Sequence, residues 1–372
     1  MIDFRPSAAQ QIIVATAREY LRQRCPIELA QRLARDSSDE ANAEAATLWR
    51  GMAELGWPGL LIPSDLGGSD GSLLDATLLV EEMGYAALPG PYVQSAVVAT
   101  TLLLASTDPG QRKRLLDPLA TGDRIATLAL VEESGTFDLD AVALASRHAR
   151  LTGRKLFVKD AHIAHDLLVV VHKGAEHSVL VLPTGRRGIS LTPLETISGE
   201  RLFAVTFDAV QVRADDWLAT GRAAVETALA AGALARTAEM VGAAQRILEL
   251  TVEHAKTRVQ GGRPIGAHQA IQHACADLVR DVDCARGLLR VAAWRTSEGL
   301  PTGTDIAMAK AYAGEACLAV ARRGHQIFGA ISYCEEHPMH LFHKRIQAAS
   351  VDFGDAAAHL DTIAIAIGLE NS

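Results

Sequence analysis

The chain has 372 residues, 49% of them apolar and only 5% aromatic, with a formal net charge of −8. That length suits two or three domains, and alanine-rich, aromatic-poor composition favours closely packed helices over an aromatic-rich sandwich. An acidic balance (pI ≈ 5.9) with no basic stripe excludes a nucleic-acid surface, and five scattered cysteines exclude a disulfide framework.

The cysteines read as reduced thiols of a cytoplasmic protein. The start, Met1-Ile2-Asp3-Phe4-Arg5, carries early charge and no apolar stretch, so no secretory leader is expected. Residues 1–121 read as a helical domain. Ala45 to Leu55 puts Leu48, Met52 and Leu55 on one face, with Gly56 as a stop. Ser72-Leu73-Leu74-Asp75 has the form of a capping box ahead of Leu78, Leu79, Val80 and Met83. The longest uncharged run, Gly84 to Thr107, is broken by Pro89, Gly90 and Pro91 and carries Gln94, Ser95, Thr100 and Thr101. It is expected to be a buried helix starting after Pro91, not a membrane span.

Residues 122–220 change period and are expected to form a small β domain. Ile125 to Val131, Val142 to Arg147, Leu167 to Val171, Ser178 to Leu182 and Leu202 to Phe207 are short and strand-like. Leu151-Thr152-Gly153 and His172-Lys173-Gly174 read as turns between them.

Residues 221–372 return to helix, as Ala223 to Arg258, Ile265 to Ser297, Asp305 to Phe328 and His340 to Leu369. Thr304 is the expected N-cap of the third, and Gly329 its stop. The fold class is therefore mainly α with a central β domain, the carboxy-terminal part a four-helix bundle. The order of elements lacks the βαβ alternation of a doubly wound sheet.

A dinucleotide glycine fingerprint, a phosphate-binding lysine loop and a serine nucleophile elbow are all missing. His337, His340 and His343, with Cys334 nearby, have helical spacing, but Pro338 interrupts the first pair and no zinc signature accompanies them. A structural role is expected, and no metal site.

Four segments, spread over essentially the whole chain, carry a resemblance. The first is Leu48-Trp49-Arg50-Gly51-Met52-Ala53-Glu54-Leu55-Gly56-Trp57 with Ile62-Pro63-Ser64-Asp65-Leu66-Gly67-Gly68. The second is Ala255-Lys256-Thr257-Arg258-Val259-Gln260-Gly261-Gly262-Arg263-Pro264-Ile265-Gly266, followed by His268-Gln269. The third is Gln326-Ile327-Phe328-Gly329-Ala330, and the fourth Gly153-Arg154-Lys155-Leu156-Phe157-Val158-Lys159-Asp160. Together they resemble the acyl-CoA dehydrogenases, which use FAD to oxidise an acyl-CoA thioester between Cα and Cβ.

The resemblance implies that Arg258 and Gln260 hold the FAD pyrophosphate of a neighbouring subunit, with Gln269 beside them. A guanidinium fork suits two phosphate oxygens at once. It also implies that Gln326, Gly329 and Ala330 meet the ADP half of the same cofactor, and it places Phe157, Lys159 and Asp355 at the cofactor. This sequence departs from the family at several points. Gly261 stands for an aromatic residue, and Lys159 for a threonine that bonds the flavin edge. Leu130-Val131-Glu132-Glu133 stands for a threonine-glutamate-proline loop start.

The largest departure concerns the base. Family members use a glutamate before a glycine near the chain end to remove the α-proton, and Ser350-Val351-Asp352-Phe353-Gly354-Asp355 puts Phe353 there. The alternative family position, early in the bundle's first helix, corresponds to Gly232. Asp352 and Glu239 are the candidate substitutes; Glu239 lies on the same helix face as Gly232 but ~10 Å along the axis.

Three readings follow. The chain is an acyl-CoA dehydrogenase-type oxidoreductase lacking the usual glutamate, a non-catalytic subunit completing a partner's FAD site, or a helical scaffold that holds no flavin. The resemblance further implies an acyl-CoA substrate and a homodimer, homotetramer or heterotetramer with a homologous catalytic subunit. It also implies a flavoprotein electron acceptor. A small-residue-rich bundle would suit a bulky or branched acyl group, even a sterol fragment, which points to fatty-acid or sterol side-chain catabolism as the expected setting.

Overall fold

In the computed structural model of the chain, residues 6–174 and 176–369 are described, so the charged start at Met1 to Arg5 lies outside them. The helices are α1 (Ala8–Arg24), α2 (Ile27–Arg35), α3 (Asp39–Glu54), α4 (Leu73–Tyr85), α5 (Thr100–Leu104), α6 (Pro109–Ala120), α7 (Arg222–Thr257), α8 (Gln269–Ser297), α9 (Gly303–Phe328), α10 (Met339–Val351) and α11 (Ala356–Ala366). The strands are β1 (Ala126–Ala129), β2 (Ser146–Arg147), β3 (Arg150–Lys159), β4 (Asp166–Lys173), β5 (Glu176–Pro183), β6 (Ile189–Leu194), β7 (Leu202–Gln211), β8 (Val259–Gln260) and β9 (Arg263–Pro264). The chain is mainly helical with a β-sheet portion and a carboxy-terminal helical bundle.

The chain divides into two compact units. One gathers the described residues of Met1–Asp36, Leu73–Leu88 and Ala233–Ser372. Ser7 opens its first helix with a capping box, its hydroxyl accepting from the Gln10 amide while the Gln10 side chain accepts from the Ser7 amide. The crossing of α4 over α7 is set by glycine. A Cβ on Gly84 would lie 2.1 Å from the Glu239 carbonyl oxygen, and one on Gly242 1.9 Å from that of Glu81. Only backbones without side chains approach so closely. Around this crossing Ala235, Ala238, Val241 and Ala244 are buried on α7, as are Ala309, Ala313, Cys317 and Val320 on α9.

Sequence and structure differ at two places in this unit. The stretch His340 to Leu369 is not one helix: α10 stops at Val351 and α11 starts at Ala356. Phe353 and Gly354 between them have φ of 57° and 97°, which no right-handed helix accommodates. The third bundle helix starts at Gly303 with Thr302, not Thr304, as its N-cap residue, and without a side-chain cap bond.

The second unit gathers Ser37–Ser72 and Pro89–Gly232. Here the run after Pro91 is helical and buried, a π-helical stretch at Val93–Ala99 continuing into α5. Two sheets follow, ordered β1-β4-β5 and β2-β3-β7-β6. β1 runs parallel to β4, and the other named pairings of the two sheets are antiparallel. Leu151, Val158, Leu167, Val169, Leu180, Leu182, Val205 and Phe207 form their shared core. Leu167 to Val171 is buried at every position, so β4 is covered on both faces and reads as an apolar run.

Leu151-Thr152-Gly153 is strand, not turn. It lies inside β3, where the register against β7 shifts between Leu151 and Gly153 and Gly153 takes φ 150°. A glycine at a bulge mimics a turn signal. β6 went unread because Pro193 and polar alternation mark it as an edge strand.

Candidate functional site

The residues expected to act as base meet around one buried arginine. Arg236, one turn into the part of α7 that belongs to the helical unit, has a side chain only 5% exposed. Its Nη1 pairs with the Glu239 carboxylate three residues on, and its Nε lies 3.0 Å from Oδ2 of Asp352. Thus Glu239 and Asp352, far apart in sequence, share one guanidinium.

Beneath the same turn sits Lys310 of α9, fully buried, whose Nζ donates to the carbonyls of Ser350 at 2.8 Å and Gly354 at 2.7 Å. Burial pushes the Lys310 ammonium down to about 8; Asp352 opposes this and Arg236 adds to it. Two carboxylates and two cations balance here, as buried charges require.

The turn is held from both sides. His359 of α11 places Nε2 3.1 Å from the Phe353 carbonyl oxygen, and burial holds this imidazole below its usual range. Phe353 is buried with left-handed backbone, a conformation costing a non-glycine residue roughly 1–2 kcal/mol. Strain over-determined by its surroundings concentrates at functional positions. Asp355 is exposed and uses Oδ1 to cap α11, accepting from the Ala358 amide at 2.9 Å.

The expected phosphate-binding residues gather at the other end of α7. Arg258 follows its last residue. The Arg258 amide donates to the His254 carbonyl and its carbonyl accepts from Ile265, both at 2.8 Å. β8 and β9 then form a hairpin turned by Gly261 and Gly262, whose φ values of 61° and 80° suit a two-residue hairpin turn. Gln260 lies on β8, and Gln269 is the first residue of α8; both are exposed.

The end of α9 joins this group. His254 stacks on Phe328 with centroids 4.3 Å apart, which brings Gln326, Gly329 and Ala330 to the same end of the bundle. All three are exposed, and Gly329 has φ 73° and ψ −154°. A surface cleft of about 400 Å³ lies alongside, lined by Val252, Ala255, Lys256, Pro264, Ile271 and Cys275. The Arg258 guanidinium forms no hydrogen bond or ion pair among the described residues. A fork and several side-chain amides without internal partners can receive an anion. From Arg236 to Arg258 the helix rises ~33 Å, so the two groups of residues are distinct places on α7.

The β unit carries the remaining expected residues. β3 bulges between Lys155 and Val158, and the Leu156 amide donates to the Val131 carbonyl at 2.8 Å. Phe157 at the bulge has φ 55° and a ring 49% exposed. Lys159 is spent internally, its Nζ 3.0 Å from Oε1 of Glu200, both side chains nearly buried.

Lys155 is wholly buried and donates to the Leu130 carbonyl at 2.8 Å and to Glu132 at 2.6 Å. Burial pushes its ammonium down to about 8 against the pull of Glu132. Burial works to raise Glu132, but Lys155 and the amides of Ala143 and Leu144 outweigh it and hold the carboxylate below its ordinary range.

Arg236, Lys310, His359 and Glu200 were not singled out from the sequence. One signal was present: Arg236 and Lys310 are lone cations inside otherwise apolar helical runs, and such charges survive burial only when paired. His337 meets Phe328 edge-on at 4.6 Å, His343 lies 5.0 Å from His325, and His340 contacts the Glu335 carbonyl at 3.1 Å. Among the described residues, no three or more His, Cys, Asp or Glu side chains are grouped to hold a metal ion.

A chain with a two-sheet unit, and with a mainly helical unit in which a buried turn packs on a long bundle helix, has a fold shared with known enzymes. The family model for the acyl-CoA dehydrogenase N-terminal domain matches residues 7–123, and that for the C-terminal domain matches residues 219–368. The chain is 33% identical over 305 residues to acyl-CoA dehydrogenase IpdE2 of Mycobacterium tuberculosis, covering 82% of this chain and 81% of that one. The chain belongs to the acyl-CoA dehydrogenase family. Among solved structures, the ChsE4-ChsE5 complex from Mycobacterium tuberculosis superposes with a TM-score of 0.90 at 27% identity, all of both chains covered. Butyryl-CoA dehydrogenase from Megasphaera elsdenii shares the fold, with a TM-score of 0.89 at 22% identity over 98% of this chain and 100% of that one.

Proposed function

We propose that this member of the acyl-CoA dehydrogenase family is the non-catalytic half of a heteromer. It completes, through its Arg258 end, a FAD site whose proton-abstracting carboxylate belongs to a homologous partner. The observation that carries this reading is the double engagement of Arg236 by Glu239 and Asp352 beside Phe353. Phenylalanine cannot accept a proton. A proton placed on Glu239 or Asp352 would break an ion pair with a buried guanidinium.

Removing one partner of a buried pair costs roughly 3–5 kcal/mol. That alone would slow proton abstraction by about 10²–10⁴-fold. A general base must instead be poised to take the proton.

The residues present fit the phosphate part of the cofactor. Arg258 would fork onto two phosphate oxygens, the Gln260 and Gln326 amides would donate beside it, and Gly329 leaves space for close backbone approach. They fit the flavin edge poorly, because Lys159 is tied to Glu200 where the family's threonine bonds the ring. When bound, FAD would accept the hydride leaving the acyl Cβ, and a flavoprotein would take up its electrons. The chain's own contribution is to grip and orient the cofactor of the shared site. A heteromer is favoured by the similarity to a solved complex of two differently named chains.

The test is purification alone and after co-expression with homologous acyl-CoA dehydrogenase chains of the same genome, followed by native mass and flavin absorbance. The reading expects flavin only in the mixed assembly. Full flavin occupancy with substrate-dependent bleaching in the lone chain would refute it.

A further inference from the structure

We infer that His325 is a positioning residue for the Gln326–Ala330 segment, acting through the Ser332 hydroxyl on the Gly329 carbonyl. This rests on the reading that the segment contacts FAD. The Ser332 Oγ lies 2.7 Å from the Gly329 carbonyl oxygen and 2.8 Å from Nδ1 of His325. A carbonyl can only accept, so the hydroxyl proton points at Gly329. The Ser332 oxygen therefore accepts, and His325 is the tautomer protonated at Nδ1.

His325 and Ser332 are both buried, and among the described residues the His325 Nε2 has no hydrogen-bond partner. A proton there would be a buried donor with nothing to receive it. Burial pushes the imidazole down to about 4, and His343, His337 and His340 add to the effect. The Tyr333 ring stacks on His325 at 4.5 Å, and Arg322 on α9 acts on His343. His254 on α7 acts on His337, while Lys344, Arg35 and Glu335 act on His340. Cations outnumber anions around the ring, so the neutral form persists near neutral pH.

The relay has a geometric purpose. Gly329 leaves the helix with φ 73° and ψ −154°, a conformation open to glycine; its amide donates to the His325 carbonyl at 2.8 Å, and its carbonyl accepts from the Ser332 amide at 3.1 Å as well as from the Ser332 hydroxyl. Fixing its carbonyl fixes the direction in which the chain leaves α9 after Gln326 and in which Ala330 meets a ligand.

Two substitutions separate this role from simple ring packing. Asparagine carries an amide N–H near the Nδ1 position, whereas glutamine carries it near Nε2, out of reach of Ser332. The measurement is FAD binding by titration of the cofactor-stripped mixed assembly, with thermal melting alongside. His325→Asn is expected to keep the dissociation constant within about threefold, while His325→Gln and Ser332→Ala raise it about tenfold, one hydrogen bond's worth. The unaltered assembly and His325→Asn should show affinities flat from about pH 8 to 6.

Equal loss in His325→Asn and His325→Gln would make the ring mere packing and overturn the relay. If His325→Gln and Ser332→Ala hold FAD normally while Arg258→Ala loses it, the relay fails and the cofactor reading stands. If Arg258→Ala and Gln326→Ala also hold FAD normally, or the assembly binds none, the cofactor reading fails and takes the relay with it.

Discussion

The Asp352 carboxylate lies 3.0 Å from the Nε of Arg236, although 116 positions separate the two residues in the chain. Nη1 of the same guanidinium holds Glu239, and Lys310 sits below the turn that carries Asp352. Phe353 is buried beside this closed set of charges, and the proposed reading takes its position for the one where family members keep a free carboxylate.

Glu239→Gln is therefore expected to leave turnover of the mixed assembly within about twofold. Its effect falls on stability, a loss of about 3 kcal/mol at the low end for a broken buried pair. Steady-state rates and chemical denaturation read the two effects separately. A drop in kcat of a hundredfold or more at intact folding would mean that Glu239 is the base after all.

The α4–α7 crossing makes a second prediction. Gly84→Ala and Gly242→Ala each place a methyl about 2 Å from a carbonyl oxygen of the facing helix. Helix backbones cannot yield locally, so each is expected to cost more than about 3 kcal/mol, beyond the usual range for overpacking. Glu239 sits on the displaced turn, so its pairing with Arg236 should loosen too. Melting temperatures near the unaltered protein's would show that the helices do not meet so closely.

Arg258→Ala should weaken FAD retention by the mixed assembly about 10–100-fold, the worth of a hydrogen-bonded charge. Arg258→Lys should recover only part of this, because an ammonium is a point charge without the planar fork. Flavin-to-protein ratio after gel filtration measures it. A ratio unchanged in Arg258→Ala would remove the phosphate role.

How far the sequence reached depended on whether a feature was local. Helix and strand periods gave the mainly helical class, and the Arg258 and Gln326 segments could be singled out as candidates because each motif is continuous. The break at Phe353 had a local signal in Gly354-Asp355, a glycine stop followed by an N-cap residue, but the apolar helical pattern on either side masked it. The Arg236–Asp352 and Lys159–Glu200 pairs were invisible for a different reason. Each joins residues brought together only by tertiary packing, and sequence spacing carries no record of that. Gly153 misled because a bulge inside a strand and a turn between strands ask for the same residue.

Acid should loosen the helical unit in a definite window. His254, His325, His337, His340, His343 and His359 are all held below the ordinary imidazole value of 6.5, burial being the largest cause for each. Between that value and the lower folded one, the unfolded chain binds protons that the folded chain refuses. Stability therefore rises with pH through this interval. It is complete above about pH 6.5 and drains as pH falls, the His325 share lasting until about pH 4. Carboxylates such as Glu132 are held low and lose their contribution only in stronger acid, so measurements between about pH 7 and 5 isolate the histidines. Urea midpoints should fall steadily across that range, and His325→Asn should flatten the slope. A midpoint independent of pH there, or a slope unaltered by His325→Asn, would mean that these imidazoles take up protons in the folded bundle as freely as in water.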